Sequence, residues 1–103
     1  MAFRVILTDP ALAEVEEAAD YIWDESPVNA RRWLTEFWQA VETLRNMPSR
    51  HALIPEAETI GIPYRSLPHH SHRIIYRIVE EQAVVYIVRV YHSARKPLGK
   101  EDL

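Results

Sequence analysis

Apolar positions in the first part of the chain change their spacing at residue 8, and the change separates a strand from a helix. Residues 3–7 include β-branched side chains and are apolar at odd and even positions alike. This pattern predicts a strand buried on both faces or lying inside a sheet. Residues 8–10, Thr-Asp-Pro, combine cap-type side chains with a proline in the first turn, so a helix should begin there. Its apolar stripe runs to about residue 24 and consists of Leu12, Val15, Ala19, Ile22 and Trp23.

A second signal of the same kind, Ser26-Pro27, follows after a short connection. The second helix should therefore fold back nearly antiparallel to the first and form a helical hairpin, which Met47-Pro48 closes. Trp38 lies at the margin of the second apolar stripe, where an aromatic side chain suits either the edge of the core or an anchor for a partner. The stripe itself consists of Ala30, Trp33, Leu34, Phe37, Val41 and Leu44.

The C-terminal part of the chain predicts a loop and three strands. Residues 49–63 carry two prolines and a glycine without sustained periodicity, which is typical of a loop. Strands are predicted at residues 64–67, 72–79 and 83–91, and the last, apolar on both parities, should be central. The predicted fold class is α+β in the order βααβββ, one domain over residues 1–103 with the helical hairpin on one face of a small, mainly antiparallel sheet.

Composition excludes several classes of protein. The 103 residues are 48% hydrophobic, enough for one core, and the absence of cysteine excludes disulfides, thiolate nucleophiles and cysteine-based zinc sites. There is no Gly-rich phosphate loop and no Gly-x-Ser-x-Gly elbow, so nucleotide hydrolysis and serine hydrolysis both lack their parts. No cofactor is expected. The start of the chain lacks the pattern of a signal peptide, and no apolar run could cross a bilayer, which predicts a cytoplasmic protein without a membrane partner.

Charge is distributed unevenly along the chain. The net charge of −3 combines five bases and eleven acids in residues 1–60 with seven bases and four acids in residues 61–103. The halves therefore carry −6 and +3. The acids of the first helix are interpreted as a solvated face, and the C-terminal sheet is the candidate for binding or chemistry.

Alternation along the third strand separates its charged from its apolar positions. Ile74, Tyr76 and Ile78 share the parity that should face the helices, so Arg73 and Arg77 are expected on an open face. The further candidates for this basic face are Arg65, Arg89, Tyr91 and Arg95. Guanidinium groups bind phosphate and carboxylate in a bidentate manner, so the face suits a polyanion or an acidic peptide. That these arginines only solvate the sheet is an equally open interpretation.

Histidines provide the remaining candidates for chemistry. His69, His70 and His72 cluster near a predicted turn, but adjacent residues point apart in extended chain and no further ligand completes a zinc set, so no metal site is expected. His92 follows the arginine-rich strand and could act as a general acid or base near neutral pH.

Three motifs, together with the βααβββ order, resemble the RelE/ParE superfamily of toxins from bacterial type II toxin–antitoxin systems, also called plasmid stabilisation proteins. They are Tyr-Arg at residues 64–65, His-Arg-Ile-Ile-Tyr-Arg at 72–77 and Val-Arg-Val-Tyr-His-Ser-Ala-Arg at 88–95. The resemblance covers nearly the whole chain, and the helices match by pattern alone. It implies growth inhibition by a toxin that a cognate antitoxin neutralises.

The superfamily divides between RelE-like enzymes, which cleave mRNA on the ribosome, and ParE-like proteins, which inhibit DNA gyrase. Arg73 and Arg65 match basic positions of the nucleases, and His92 matches the histidine of YoeB-like members. Leu67 and Ser93 stand where RelE carries further basic residues, and no tyrosine follows Tyr91 in this sequence. The resemblance therefore favours the ParE-like branch, with an endoribonuclease centred on Arg73 and His92 as the first alternative. The second alternative is a degenerate relative that is not a toxin and serves as a binding or regulatory module.

Either branch implies an antitoxin of ParD or RelB type, whose tail would lie as a helix in the groove of the helical hairpin and extend along the sheet. Arg65, Arg73, Arg77 and Arg89 are the expected contacts for an acidic tail. Trp23 and Trp38 are the candidate apolar anchors, with ordinary core packing as the alternative for each.

Overall fold

The computed structural model describes residues 2–103, in which four strands and three α-helices follow one another along the chain. The strands are β1 (Arg4–Leu7), β2 (Arg65–His69), β3 (His72–Val79) and β4 (Val84–His92). The helices are α1 (Asp9–Glu25), α2 (Pro27–Thr43) and α3 (Ala57–Ile60). The predicted βααβββ order and α+β class are confirmed, and α3 is a short addition within the predicted loop.

Both long helices begin where the sequence predicts, because each has a side-chain cap and a proline in its first turn. The Ala11 N–H donates to the hydroxyl of Thr8 (3.4 Å), and the Asn29 N–H donates to the hydroxyl of Ser26 (3.2 Å). Within residues 2–103, no helix has the length and apolar character needed to span a membrane.

The strands form one sheet in the order β1-β4-β3-β2, with β1 parallel to β4 and the other pairs antiparallel. The prediction that β4 is central is confirmed. The prediction that the first strand is buried on both faces is wrong, because β1 is an edge strand. Val5 and Leu7 pack toward the helices, whereas Arg4 and Ile6 face solvent.

The main core lies between α1, α2 and the inner face of the sheet, which is the face carrying Ile74 and Tyr76. Both of these side chains are fully buried, as parity predicts. The α1 stripe is shifted from its predicted position, since Ala11, Val15 and Ala19 are buried while Leu12 and Trp23 are 40% and 49% exposed. The fully buried residues of α1 are therefore small or β-branched, and the larger Leu12 and Trp23 are partly exposed.

The outer face of the sheet, which carries Ile75 and Arg73, is covered over much of its area. The prediction of an open basic face is therefore wrong for the covered area around Arg73 and Ile75. The segment that contains α3 and the C-terminal residues pack on it and form a second core, so Ile75 and Tyr91 are buried. Its buried members are Ile54, Ala57, Ile60, Tyr64, Ile75, Tyr91 and Leu98. The loop contributes one isolated bridge to β2, between Leu53 and Arg65.

A β-bulge in β4 changes the parity of its side chains. The register passes from Tyr76 opposite Ile87 to Ile75 opposite Arg89, so Val88 is the additional residue. The bulge lies where β1 ends, and the Thr8 hydroxyl donates to the Val88 carbonyl oxygen (3.2 Å). It places Arg89 on the same outer face as Ile75 and allows the next residues of β4 to extend beyond β1.

Candidate functional site

A groove of about 760 Å³ lies between the helical hairpin and the ends of β3 and β4. Its floor is apolar and includes Ile22, Trp33 and Val90, and its walls carry charges of both signs. The groove includes the predicted site residues His92 and Arg95. Residues of the walls that the sequence did not single out are Glu17, Tyr21, Asn29, Arg32 and Glu36.

Two histidines meet at the sheet side of the groove. His72 and His92 face each other across β3 and β4, with their ring centroids 5.0 Å apart. Burial, followed by the neighbouring His92, lowers the pKa of His72 below its usual value. The Ala94 N–H donates to His92 Nδ1 (3.0 Å), so neutral His92 carries its proton on Nε2. Two aromatic rings that carry hydrogen-bonding nitrogens therefore line this side of the groove.

The other two histidines of the predicted turn, His69 and His70, make contacts with α2. His69 is buried beside Trp33 and bonds to the Trp33 carbonyl oxygen, while His70 pairs with Glu36 (2.9 Å) at the surface. Among residues 2–103, no group of three or more His, Asp or Glu side chains has an arrangement that could hold a metal ion.

The sequence predicts Arg73 on an exposed basic face, but in the structure the carboxylate of Glu56 neutralises its charge. Its guanidinium donates to both carboxylate oxygens of Glu56, at 3.2 and 2.9 Å, in a bidentate pair that is largely shielded from solvent. These hydrogen bonds lower the pKa of the Glu56 carboxyl to about 2, so the carboxylate stays charged throughout the neutral range. The pair leaves no net charge at this position of the outer face.

Arg89 is neutralised in the same manner by Glu14 of α1. The two side chains make bidentate contacts at 2.9 and 2.8 Å, and the same carboxylate accepts the Val90 N–H (2.9 Å) at the β4 edge that β1 leaves unpaired. Glu14 therefore closes the exposed sheet edge as well as pairing with the arginine. The hydrogen bonds to Glu14 raise the pKa of the Arg89 guanidinium.

The remaining predicted basic residues lie in three separate places. Arg65 donates to the His51 carbonyl oxygen (2.7 Å) and so supports the loop beside β2. Arg77 is exposed at the far end of the outer face, with its guanidinium over the Tyr86 ring (5.9 Å). Arg95 is exposed at the rim of the groove, 3.9 Å from Glu17. The structure does not bring these three residues together.

The two candidate catalytic residues are also separated. His92 lies on the inner side with His72, at the groove between the helices and the sheet. Arg73 is opposite Tyr91 in the register and points to the outer face, where it meets Glu56. The sheet lies between the two side chains, so one scissile bond could not contact both.

Both candidate tryptophan anchors are exposed. Trp23 is 49% accessible, with the Arg31 guanidinium 5.8 Å from its ring, and Trp38 is 45% accessible beside Phe37. The core-packing alternative is therefore wrong for Trp23, and Trp38 lies at the edge of the core. Neither side chain lines the groove.

Sequence reasoning missed the carboxylates that neutralise the basic face. The charge pattern of α1 places Glu14 among the solvated acids, but Glu14 lies three residues after Ala11 and four before Ala18 and so shares the side of α1 that packs on the sheet. That spacing is a usable signal. Glu56 has no comparable signal, because its contact with Arg73 depends on how the loop crosses the sheet.

Comparison with protein families finds a match over residues 5–97 to the family described as ParE toxin of the type II toxin–antitoxin system parDE. Comparison with curated proteins finds no match.

Solved structures show the same fold. A chain of the chromosomal ParDE toxin–antitoxin system from P. aeruginosa is similar with a TM-score of 0.67 and 16% identity, covering 88% of this chain and 96% of that one. A chain of the RelBE2 toxin–antitoxin complex from Mycobacterium tuberculosis is similar with a TM-score of 0.61 and 25% identity, covering 92% and 95%.

Proposed function

The chain belongs to the ParE toxin family of type II toxin–antitoxin systems, and we propose that it is a cytoplasmic inhibitor of DNA gyrase that a cognate antitoxin neutralises. The observation that carries this proposal is the separation of Arg73 from His92 by the sheet. A nuclease that stabilises charge on a phosphate and transfers a proton needs both groups at one bond.

Neutralisation of the arginines supports the same branch. In the RNA-cleaving mechanism, a guanidinium on β3 would contact phosphate, but Arg73 already makes two hydrogen bonds to Glu56. A phosphate would have to displace a carboxylate whose pKa is held at about 2. Inhibition of gyrase by contact between protein surfaces has no such requirement.

The antitoxin site that we propose is the groove. An apolar floor with Trp33 and Val90 suits one face of an amphipathic helix, and Arg95 and Arg32 on the walls suit acidic side chains beside that face. Arg73 and Arg89 have internal partners, so they are weaker candidates for antitoxin contacts than the sequence suggests. Both similar structures are chains of toxin–antitoxin systems, which supports a partner of this kind.

The proposal is tested by inducing the chain in bacteria with and without its antitoxin. Gyrase poisoning should stop growth, turn on a reporter of DNA breaks and leave total mRNA intact, and antitoxin should restore growth. Rapid loss of mRNA without DNA breaks would instead support the ribosome-dependent endonuclease. Normal growth without antitoxin would contradict both toxic functions and leave a binding module.

A further inference from the structure

Three aromatic rings that carry nitrogen lie next to one another in the groove. They belong to Trp33, His72 and His92, and all three residues line it. The ring centroids of Trp33 and His72 are 5.6 Å apart, and those of His72 and His92 are 5.0 Å apart. His72 and His92 are directly opposite in the register of β3 and β4, so the sheet fixes the second contact. We call these three rings the aromatic row.

Two nitrogens of the aromatic row are buried without a hydrogen-bond partner. They are Trp33 Nε1 and His72 Nδ1, and nothing in the described part of the chain pairs with either. Trp33 is only 5% exposed, and its indole N–H can act only as a donor. Buried polar groups are nearly always paired, so an unpaired group calls for an explanation. Because both rings line the groove, a molecule bound there can supply the missing partner.

The chemistry of the aromatic row calls for a partner that accepts hydrogen bonds. The Trp33 N–H is a donor, and neutral His92 carries its hydrogen on Nε2 because its Nδ1 accepts the Ala94 N–H (3.0 Å). His72 has two neutral tautomers, and an oxygen atom beside it selects the one that places the hydrogen toward that oxygen. All three rings can therefore donate to one class of ligand.

The groove's own carboxylates do not serve the aromatic row. Glu14 receives the hydrogen bonds of Arg89, and Glu36 is paired with His70. Glu17, the third carboxylate among the lining residues, is exposed to solvent. An oxygen acceptor for the aromatic row therefore has to come from a bound partner.

A carboxylate suits the aromatic row better than a neutral oxygen does. Its two oxygens provide about four acceptor positions, so a single group can bond to more than one ring. Arg95 lines the same groove and is held by only one contact, 3.9 Å from Glu17, so its charge favours an anion there.

We propose that Trp33, His72 and His92 form a carboxylate-binding site in the groove, and that its ligand is one Asp or Glu side chain in the apolar face of the antitoxin helix. This inference rests on the proposed binding of the antitoxin in the groove. The site fixes the register of that helix, because an acid at any other position of its apolar face would meet the apolar floor.

The first test is His92→Asn. An asparagine side chain can accept the N–H two residues later, so this variant keeps the hydrogen bond of Ala94 and removes the donor at Nε2. Calorimetry with the cognate antitoxin should show binding weakened by about tenfold or more. His70→Asn, a histidine change in the same groove whose imidazole is paired with Glu36, should weaken it far less. Equal antitoxin affinity of His92→Asn and the wild type would overturn the carboxylate site.

A double-mutant cycle identifies the ligand. Each acid of the antitoxin tail is changed to its amide and is titrated into wild-type toxin and into His92→Asn. One acid should lose about tenfold with the wild type and little with His92→Asn, whereas independent losses at every acid would refute a shared contact. His72→Phe keeps the ring and removes both nitrogens, so it should reduce the same coupling without relying on the turn at His92.

Failure of this inference differs from failure of the proposed function. Tight antitoxin binding that none of the histidine changes weakens would refute the carboxylate site and leave the antitoxin as the partner. An antitoxin that does not bind the wild-type toxin would contradict the proposed partner, and the site with it.

Discussion

Arg73 and His92 lie one register position apart on neighbouring strands, yet their side chains occupy opposite faces of the sheet. His92 is opposite His72 on the inner side, and Arg73 is opposite Tyr91 on the outer side. Alternation along the strands causes this separation, because successive side chains point to opposite faces. The two residues that resemble nuclease positions thus belong to different surfaces, one beside the groove and one on the outer face.

Acid should destabilise the protein through Glu56. Because its pKa is lowered to about 2 from 4.5, mainly by the hydrogen bonds from Arg73, its stabilisation is complete above about pH 4.5 and is lost as the pH falls toward 2. The shift corresponds to about 3 kcal/mol in the free energy of unfolding. Urea unfolding should show Glu56→Gln much less stable than the wild type at about pH 6, with the gap closing at about pH 2.5.

Glu58→Gln is the control for this acid dependence, since that side chain is exposed on the same short helix. At about pH 6 it should lose far less stability than Glu56→Gln. A constant difference between Glu56→Gln and the wild type across the range would show that the Glu56–Arg73 pair contributes no pH-dependent stability.

A milder loss of stability is expected below neutral pH, and its source is His72. Burial lowers the pKa of this imidazole, so the unfolded chain binds a proton near pH 6.5 that the folded chain resists. The contribution of His72 to the free energy of unfolding should therefore be fully present above pH 6.5 and should decrease as the pH falls below that value. Burial lowers the pKa of His69 as well, so His69 should add to this loss of stability.

Urea unfolding at about pH 8 and pH 5.5 measures this effect. His72→Phe keeps an aromatic ring beside Trp33 and should lose less stability on acidification than the wild type. His70→Gln changes an exposed imidazole and serves as the control for a general loss of histidine. Equal acid sensitivity of His72→Phe and the wild type would exclude His72 as the source.

The Tyr76 hydroxyl should contribute measurably to stability. It is fully buried and donates to the Pro48 carbonyl oxygen, and burial raises its pKa to about 12. Tyr76→Phe would leave that carbonyl without its donor and should lower the free energy of unfolding by about 1–2 kcal/mol. A melting temperature unchanged from the wild type would contradict a role for this hydrogen bond.

Recognition of the antitoxin should depend on the groove and not on every exposed aromatic side chain of α1. Tyr21 and Trp23 are both exposed, but Tyr21 lines the groove and Trp23, two residues later, does not. Tyr21→Ala should weaken antitoxin binding by roughly tenfold or more, as loss of an aromatic contact typically does, and Trp23→Ala should change it little. The reverse ranking in calorimetry would move the antitoxin site to the Trp23 surface.

Local signals in the sequence determined the elements of this fold. The pairs Thr8 with Pro10 and Ser26 with Pro27 place both helix starts correctly, because caps and prolines act over one turn. Parity along β3 correctly places Ile74 and Tyr76 on the helical side. Such features depend on neighbours in the chain, which a single sequence displays directly.

Contacts between distant segments could not be predicted in this manner. The cover over the outer face depends on the path of the loop at residues 49–63 and of the C-terminal residues 96–103, and neither segment has a periodic pattern. The edge position of β1 depends on which strand it joins, since the pattern of residues 3–7 is compatible with a central strand or an edge strand of the sheet. The pairing of Arg73 with Glu56 depends on the path of the same loop, so the sequence could not predict this pairing either.

We propose that this toxin acts on gyrase and that Arg73 and His92 do not form a shared nuclease site, and a paired assay of one purified preparation distinguishes the two branches. The protein is incubated with gyrase and supercoiled plasmid in one reaction and with ribosomes translating a defined mRNA in the other. Gyrase inhibition predicts trapped gyrase cleavage complexes, seen as linear plasmid after protease treatment, and full-length mRNA by primer extension. Intact plasmid together with codon-positioned mRNA cuts would refute gyrase inhibition and support the endoribonuclease.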